Sequence, residues 1–244
     1  MTATKEKPIL FSGEMVRAIL DGRKTQTRRI VKPQPPDYYH KLCGPEHYSP
    51  IVVGGDGEVR EGPQSLGVYT DDGEWGVKCP YEVGMRLWVR EGHLLQECVC
   101  QAAPAAMRGN CRYCGGRGET VIYKADATCA GDSVCCRYRP SIHMPRWASR
   151  ITLEITDIRV QRLQEISEED AAAEGVESTH QRAQSVVDAI TSMGFACSLD
   201  SRYLGGESYV KVFRDLWDSI NTKPGTRWED GPWVWCYTFR RVEA

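Results

Sequence analysis

The chain has no apolar run approaching the roughly 20 residues that a membrane span requires. Its first residues, MTATKEKP, carry no signal-peptide core. A soluble, cytosolic protein with no membrane partner is therefore expected. The chain also lacks net positive charge, since 31 Lys and Arg against 33 Asp and Glu leave −2. That balance excludes a globally basic nucleic-acid binder, so any nucleic-acid surface must be local. No internal repeat and no phosphate-binding glycine loop is visible. No carboxylate cluster argues for a metal-dependent nuclease.

Cysteine, by contrast, is abundant, with 11 residues in a chain of 244 that is 41% hydrophobic and long enough for one large domain with a real core. In a cytosolic chain this usage points to metal or to buried thiols. Cys98-x-Cys100 and Cys111-x-x-Cys114 form two close pairs with ten residues between them, the second followed by GGRG. Tetrahedral zinc needs four soft ligands, and the glycines suit a tight knuckle. The spacing predicts a closed, structural zinc site on Cys98, Cys100, Cys111 and Cys114. Cys129, Cys135 or Cys136 can replace one ligand, so the insertion runs over 95–118 or on to 137. Cys236 reads as a buried strand thiol.

The second concentrated feature is residues 20–29, LDGRKTQTRR, where Thr25 and Thr27 stand among Arg23, Lys24, Arg28 and Arg29. In extended chain the two threonines face the same side, and the cations around them attract an anionic or strongly polar ligand. Residues 23–32 are the candidate nucleic-acid surface.

Around this turn the patterning predicts short elements. Residues 8–11 read as a strand, and Ser12 as the N-cap of a helix carrying Met15, Ile19 and Leu20 and ending at Gly22. Residues 33–79, rich in Pro, Gly, Asp and Tyr, read as an irregular insertion. VGMRLWVRE and ETVIYKA read as strands, and Ile151, Leu153 and Ile155 alternate with Thr152, Glu154 and Thr156. Ser167 and Asp170 have capping-box spacing at the start of SEEDAAAEG. Helices follow over 182–191 and 209–220, and residues 233–241 form a closing strand with Trp233, Trp235, Tyr237 and Phe239 on one face. Short helices between non-adjacent strands predict a small mixed α/β barrel with loop insertions, in one domain over 1–244.

The GRKTQTRR turn after the first helix, the VGMRLWVRE strand, ITLEITDIRVQRLQEISEEDAAAEG and the aromatic last strand, in this order, resemble the ASCH family. IHMPRWASR and WVWCYTFRR resemble the forms carried by bacteriophages and prophages, which places the protein in a bacterial host cell. The resemblance implies a PUA-like β-barrel whose cleft, beside the first helix, accepts a nucleoside or nucleic acid, RNA or DNA. Small amidohydrolases of the family remove acyl groups from N4-acetylcytidine. Similarity to them implies Lys24, Thr27 and Glu174 as the catalytic residues.

In that chemistry a threonine hydroxyl attacks only if a base takes its proton, and lysine serves only if its pKa falls toward neutrality. Burial and the neighbouring Arg23 and Arg28 favour this. The C-terminus of the preceding helix opposes it. The rival reading is a non-catalytic RNA- or DNA-binding module, with Arg23, Thr25, Arg28 and Arg29 on phosphates. Glu91 either faces the same cleft or pairs with Arg90 or Arg86. His143 is a further candidate for lining the site, and Trp147 reads as core.

Overall fold

The computed structural model describes residues 6–97 apart from 37, 40 and 56, then 119–126, 138–177, 187–188, 191–193 and 208–242. The chain divides into two compact units: residues 1–20, 86–154 and 241–244 form the first, and 21–85 with 155–240 the second.

In the first unit, Ser12 Oγ accepts the Met15 N–H at 3.4 Å and opens helix α1 (Gly13–Leu20), which buries Val16, Ala18 and Ile19. Strand β1 (Glu6–Leu10) runs parallel to β8 (Arg86–Arg90), with Ile9 opposite Val89. On its other side β8 pairs antiparallel with the first residues of β11 (Thr152–Arg162), Trp88 lying opposite Thr152. Ile9, Phe11, Leu87, Val89, Ile151 and Leu153 are buried. Strands β9 (His93–Glu97) and β10 (Glu119–Tyr123) pair antiparallel, with Glu97 opposite Glu119. Residues 95–97, expected to begin the cysteine insertion, are thus strand. Short 3-10 turns at Ser141–His143 and Arg146–Ala148 precede β11.

In the second unit, β2 (Gln26–Ile30) pairs antiparallel with β12 (Trp233–Val242), which lies between β2 and β11. Trp233, Trp235, Tyr237 and Phe239 share one face of β12, Val234 and Cys236 the other, and all six are buried. A strand covered on both faces explains its nearly unbroken apolar run. Val234 and Cys236 pack with Leu163, Ile166, Ala171, Phe213 and Trp217. Phe213 and Trp217 reach that cluster because they stand at i and i+4 on the helix Tyr209–Ile220, whose N-cap is Ser208. A shorter helix, α2 (Glu168–Ala173), packs against this one, α3.

Residues 33–79 are not irregular. They carry β3 (Cys43–Tyr48), β4 (Ile51–Val53), β5 (Val59–Glu61), β6 (Ser65–Tyr69) and β7 (Gly76–Lys78), in a three-stranded sheet ordered β3-β6-β7 and a β4-β5 hairpin. Their alternation is hidden for two reasons. The register of β3 shifts between Cys43 and Glu46, where Gly44 and Pro45 stand. In β6, Gly67 is required because a Cβ there would lie 2.5 Å from the Tyr48 ring. The class is mixed α/β, but among the described residues no sheet closes into the expected barrel, β1 and β2 being the end strands of the order β1-β8-β11-β12-β2. No described helix is long and apolar enough to cross a membrane. The helix expected over 182–191 falls mostly outside the described residues.

Candidate functional site

The pleat of β2 decides which side chains of the basic segment meet. Gln26 and Arg28 project from one face, Thr27 and Arg29 from the other. Asp170 and Glu174, at i and i+4, present two carboxylates to the first row. Arg28 Nη2 donates to Asp170 Oδ2 at 2.7 Å and Nη1 to Glu174 Oε1 at 3.0 Å, while Gln26 Nε2 donates to Asp170 Oδ1 at 3.0 Å. Lys24 joins the same group, its Nζ donating to Glu174 Oε2 at 2.8 Å and to the Glu174 carbonyl at 2.7 Å. Arg159 adds a contact to Asp170 at 3.3 Å. Only half of the expected capping box forms. Ser167 Oγ accepts the Asp170 N–H at 3.1 Å, but the Asp170 carboxylate turns to the cations.

The turn before β2 is built onto the end of α2. Thr25 N–H donates to the Ala173 carbonyl at 2.9 Å, Lys24 to that of Glu174, and Arg23 Nη1 to that of Gly175 at 3.2 Å. A helix leaves its last carbonyls without intrahelical donors, and here three consecutive residues supply them from about 150 positions away. The helix end that Lys24 touches is that of α2, and its carbonyls favour the ammonium in the sense expected of the preceding helix.

Lys24, Thr27, Arg28 and Glu174 are all buried, whereas Thr25 is exposed. Thr25 and Thr27 therefore do not share a ligand-facing surface. Burial pulls Lys24 below its ordinary 10.5. Glu174 opposes the fall, and the charges of Arg29 and Arg28 add to it. Arg23 is half-buried between Asp21 and Glu177, each at 3.0 Å.

On the other face of β2, Thr27 lies opposite Tyr237 and Arg29 opposite Trp235. The Tyr237 hydroxyl is 3.6 Å from Cys79 Sγ, and its ring meets Tyr81 edge-on at 5.0 Å. Burial raises the pKa of Tyr237, so it stays a neutral phenol. Arg29 feels the charge of Glu174 and the hydroxyls of Tyr81 and Tyr237, while burial draws its own pKa down.

No family model, curated protein or solved structure matches this chain. The site thus stands on its own geometry, which brings Lys24 and Glu174 together with Arg28. It adds Asp170, Gln26 and Arg159, which the sequence reading did not assign to the site. The alternation of Gln26 and Arg28 was the available signal for a shared face. Nothing local pointed to Arg159.

Glu91 and His143 belong to the first unit. Glu91, 1% exposed, pairs with neither Arg90 nor Arg86. Arg150 grips it with two bonds, Nε to Oε1 at 2.9 Å and Nη2 to Oε2 at 3.0 Å. Arg150 also forks to Asp126 at 2.6 and 2.8 Å, and its guanidinium lies 3.9 Å from the centre of the Tyr123 ring. His143 is exposed in its 3-10 turn. Trp147, expected in the core, is 38% exposed.

Burial raises Glu91 above its ordinary 4.5, against the pull of Arg150. The native state then keeps a proton that the unfolded chain has lost, so stability falls as pH rises from 4.5 through the folded pKa. Arg150→Ala removes the counter-charge and extends that window upward. Thermal unfolding of the variant should lose stability more steeply than wild type between pH 4.5 and neutrality. Parallel curves would show that Arg150 does not hold the Glu91 charge.

Cys98, Cys100, Cys111 and Cys114 lie outside the described residues, as do Cys129, Cys135 and Cys136. Among the described residues no group of three or more His, Cys, Asp or Glu could hold a metal ion. Cys236 is a free thiol in β12, pushed up to about 12 by burial.

Proposed function

We propose that the chain is an ASCH-type protein with a PUA-like core that hydrolyses the acyl amide of an N4-acylated cytidine at the Lys24–Glu174 site. One observation carries this reading. The two residues that the family resemblance pairs, 150 positions apart, meet at 2.8 Å in a site closed to solvent. The depression of Lys24 by burial moves it toward the neutral amine that a general base must be.

The step runs as follows. Thr27 Oγ attacks the acyl carbonyl carbon, and its proton passes to neutral Lys24 Nζ. The amide C–N bond then breaks, and Glu174 carries that proton from Lys24 to the departing exocyclic amine of cytosine. A water molecule, deprotonated in turn by Lys24, attacks the resulting ester, the acyl C–Oγ bond breaks, and Lys24 returns the proton to Thr27 Oγ as the carboxylic acid leaves. Thr27 is three residues from Lys24 on the chain and buried beside Tyr237, whose ring and that of Tyr81 supply aromatic surface. A structural zinc on Cys98, Cys100, Cys111 and Cys114 belongs to this proposal and takes no part in the proton steps.

The rival reading, a turn gripping phosphates, is less well supported. Lys24 and Arg28 are buried against carboxylates, and Arg23 is shared between Asp21 and Glu177. A nucleic-acid backbone would have to displace these partners.

The test is incubation with N4-acetylcytidine, following cytidine and acetate by chromatography across pH. Turnover is expected, with a rate that climbs as Lys24 loses its proton, on a limb lying below 10.5. No cytidine release at any pH on that limb would remove the substrate assignment.

A further inference from the structure

The first unit contains a cavity of about 590 Å³, within the size range of small-molecule sites. It is lined by the residues that open α1, by Gly92 and Lys124, and by residues 138–141. Three cations, Arg17, Lys124 and Arg139, stand on its wall against one carboxylate, Glu14, although the whole chain is net negative.

Two other arginines of this unit are matched by acids. Arg146 pairs with Glu6 at 2.8 Å, and Arg150 with Glu91 and Asp126. The cavity cations are not. Arg17 gives one N–H to a neutral acceptor, the Ala125 carbonyl, at 2.9 Å. The Lys124 and Arg139 side chains have no hydrogen bond or ion pair among the described residues.

The backbone beneath both cations is nonetheless pinned. Lys124 N–H donates to the Gly92 carbonyl at 2.8 Å, and the Lys124 stem lies so close that a Cβ at Gly92 would be 3.3 Å from it. Arg139 is held by a two-way backbone bridge to His93, at 2.7 and 3.3 Å. Three like charges held on one concave wall against a single carboxylate disfavour the empty site and favour a compact anion. Guanidinium and ammonium donors suit phosphate oxygens, and Tyr138 on the same wall suits a planar ring.

We propose that this cavity binds a nucleoside monophosphate, with Arg17, Lys124 and Arg139 on the phosphate and Tyr138 against the base. All of its residues lie in the first unit, and the inference does not rest on the amidohydrolase reading.

Calorimetric titration with adenosine 5′-monophosphate, cytidine 5′-monophosphate, cytidine and inorganic phosphate tests it. Both monophosphates should bind, at least about tenfold more tightly than cytidine or phosphate alone, and added salt should weaken them. The Lys124→Ala/Arg139→Ala variant should lose about tenfold or more in affinity with an unchanged melting temperature, because both side chains are exposed. The single variants Lys124→Gln and Arg139→Gln should each show part of that loss. Thr27→Val should leave the affinity unchanged, placing the binding away from the proposed hydrolytic residues. The proposal is overturned if neither monophosphate binds at about 10 mM, if cytidine binds equally well, or if the double variant retains wild-type affinity.

Discussion

Glu174→Ala should lower the unfolding free energy at neutral pH by about 3–5 kcal/mol, the usual consequence of removing one partner from a buried ion pair. The substitution takes away a carboxylate that both Lys24 and Arg28 hold, at 2.8 and 3.0 Å, in a site where the two cationic side chains are 0% exposed. Arg28 keeps Asp170, so the larger share of the loss falls on Lys24. Urea unfolding followed by tryptophan fluorescence measures it, and the pH dependence identifies its origin. Without Glu174, the influence that raises the Lys24 pKa is gone and burial draws it down further. The native state then holds fewer protons than the unfolded chain between the folded pKa and 10.5, so stability climbs with pH across that window. The deficit of the variant should therefore shrink toward alkaline pH. Replacing both partners, Lys24→Met with Glu174→Leu, should recover part of the stability, since a buried pair exchanged for apolar side chains is often neutral. A loss below about 1 kcal/mol at neutral pH would mean that water reaches the pair and that it behaves as a surface salt bridge.

Thr27→Val should reduce hydrolysis of N4-acetylcytidine by about 10³-fold or more, the scale on which removal of an attacking hydroxyl is felt. It should change stability by only about 1 kcal/mol, the usual worth of one buried hydroxyl hydrogen bond. The separation matters because Lys24 and Glu174 substitutions damage both the fold and the chemistry. Thr27 projects from the other face of β2, away from the ionic row of Gln26 and Arg28, and carries no charge. A variant that folds normally and keeps its rate would remove Thr27 as nucleophile and leave Lys24 to activate water directly.

Elements governed by short-range interactions were legible in the sequence. Ser12 and Ser167 each open a helix because a hydroxyl reaches an N–H three residues on. The helix Tyr209–Ile220 shows itself through Phe213 and Trp217 one turn apart. The aromatic alternation in β12 shows itself because one face is continuously buried. Residues 33–79 were not legible, since a glycine fitted to the Tyr48 ring and a shifted register at Gly44 and Pro45 read as turn chemistry until the partner strands are in place. The fate of Glu91 was equally hidden. Its partner Arg150 lies 59 residues away, while the adjacent Arg90 lies over the Trp88 ring instead.

The sequence by itself determined the hydroxyl caps of two helices, the apolar faces of the helix Tyr209–Ile220 and of the last strand, and that Lys24, Thr27 and the arginines around them are concentrated in one short segment. Tertiary structure decided what those charges do. Docking of residues 23–25 onto the last carbonyls of α2, and of Gln26 and Arg28 onto its two carboxylates, turned an expected solvated grip into a buried, internally compensated cluster. The reason is electrostatic. A helix cap or an apolar stripe is defined by neighbours a few residues away, but the state of a charge is set by its loss of water and by its counter-charge. For Lys24 both were supplied by a helix end about 150 residues further along the chain.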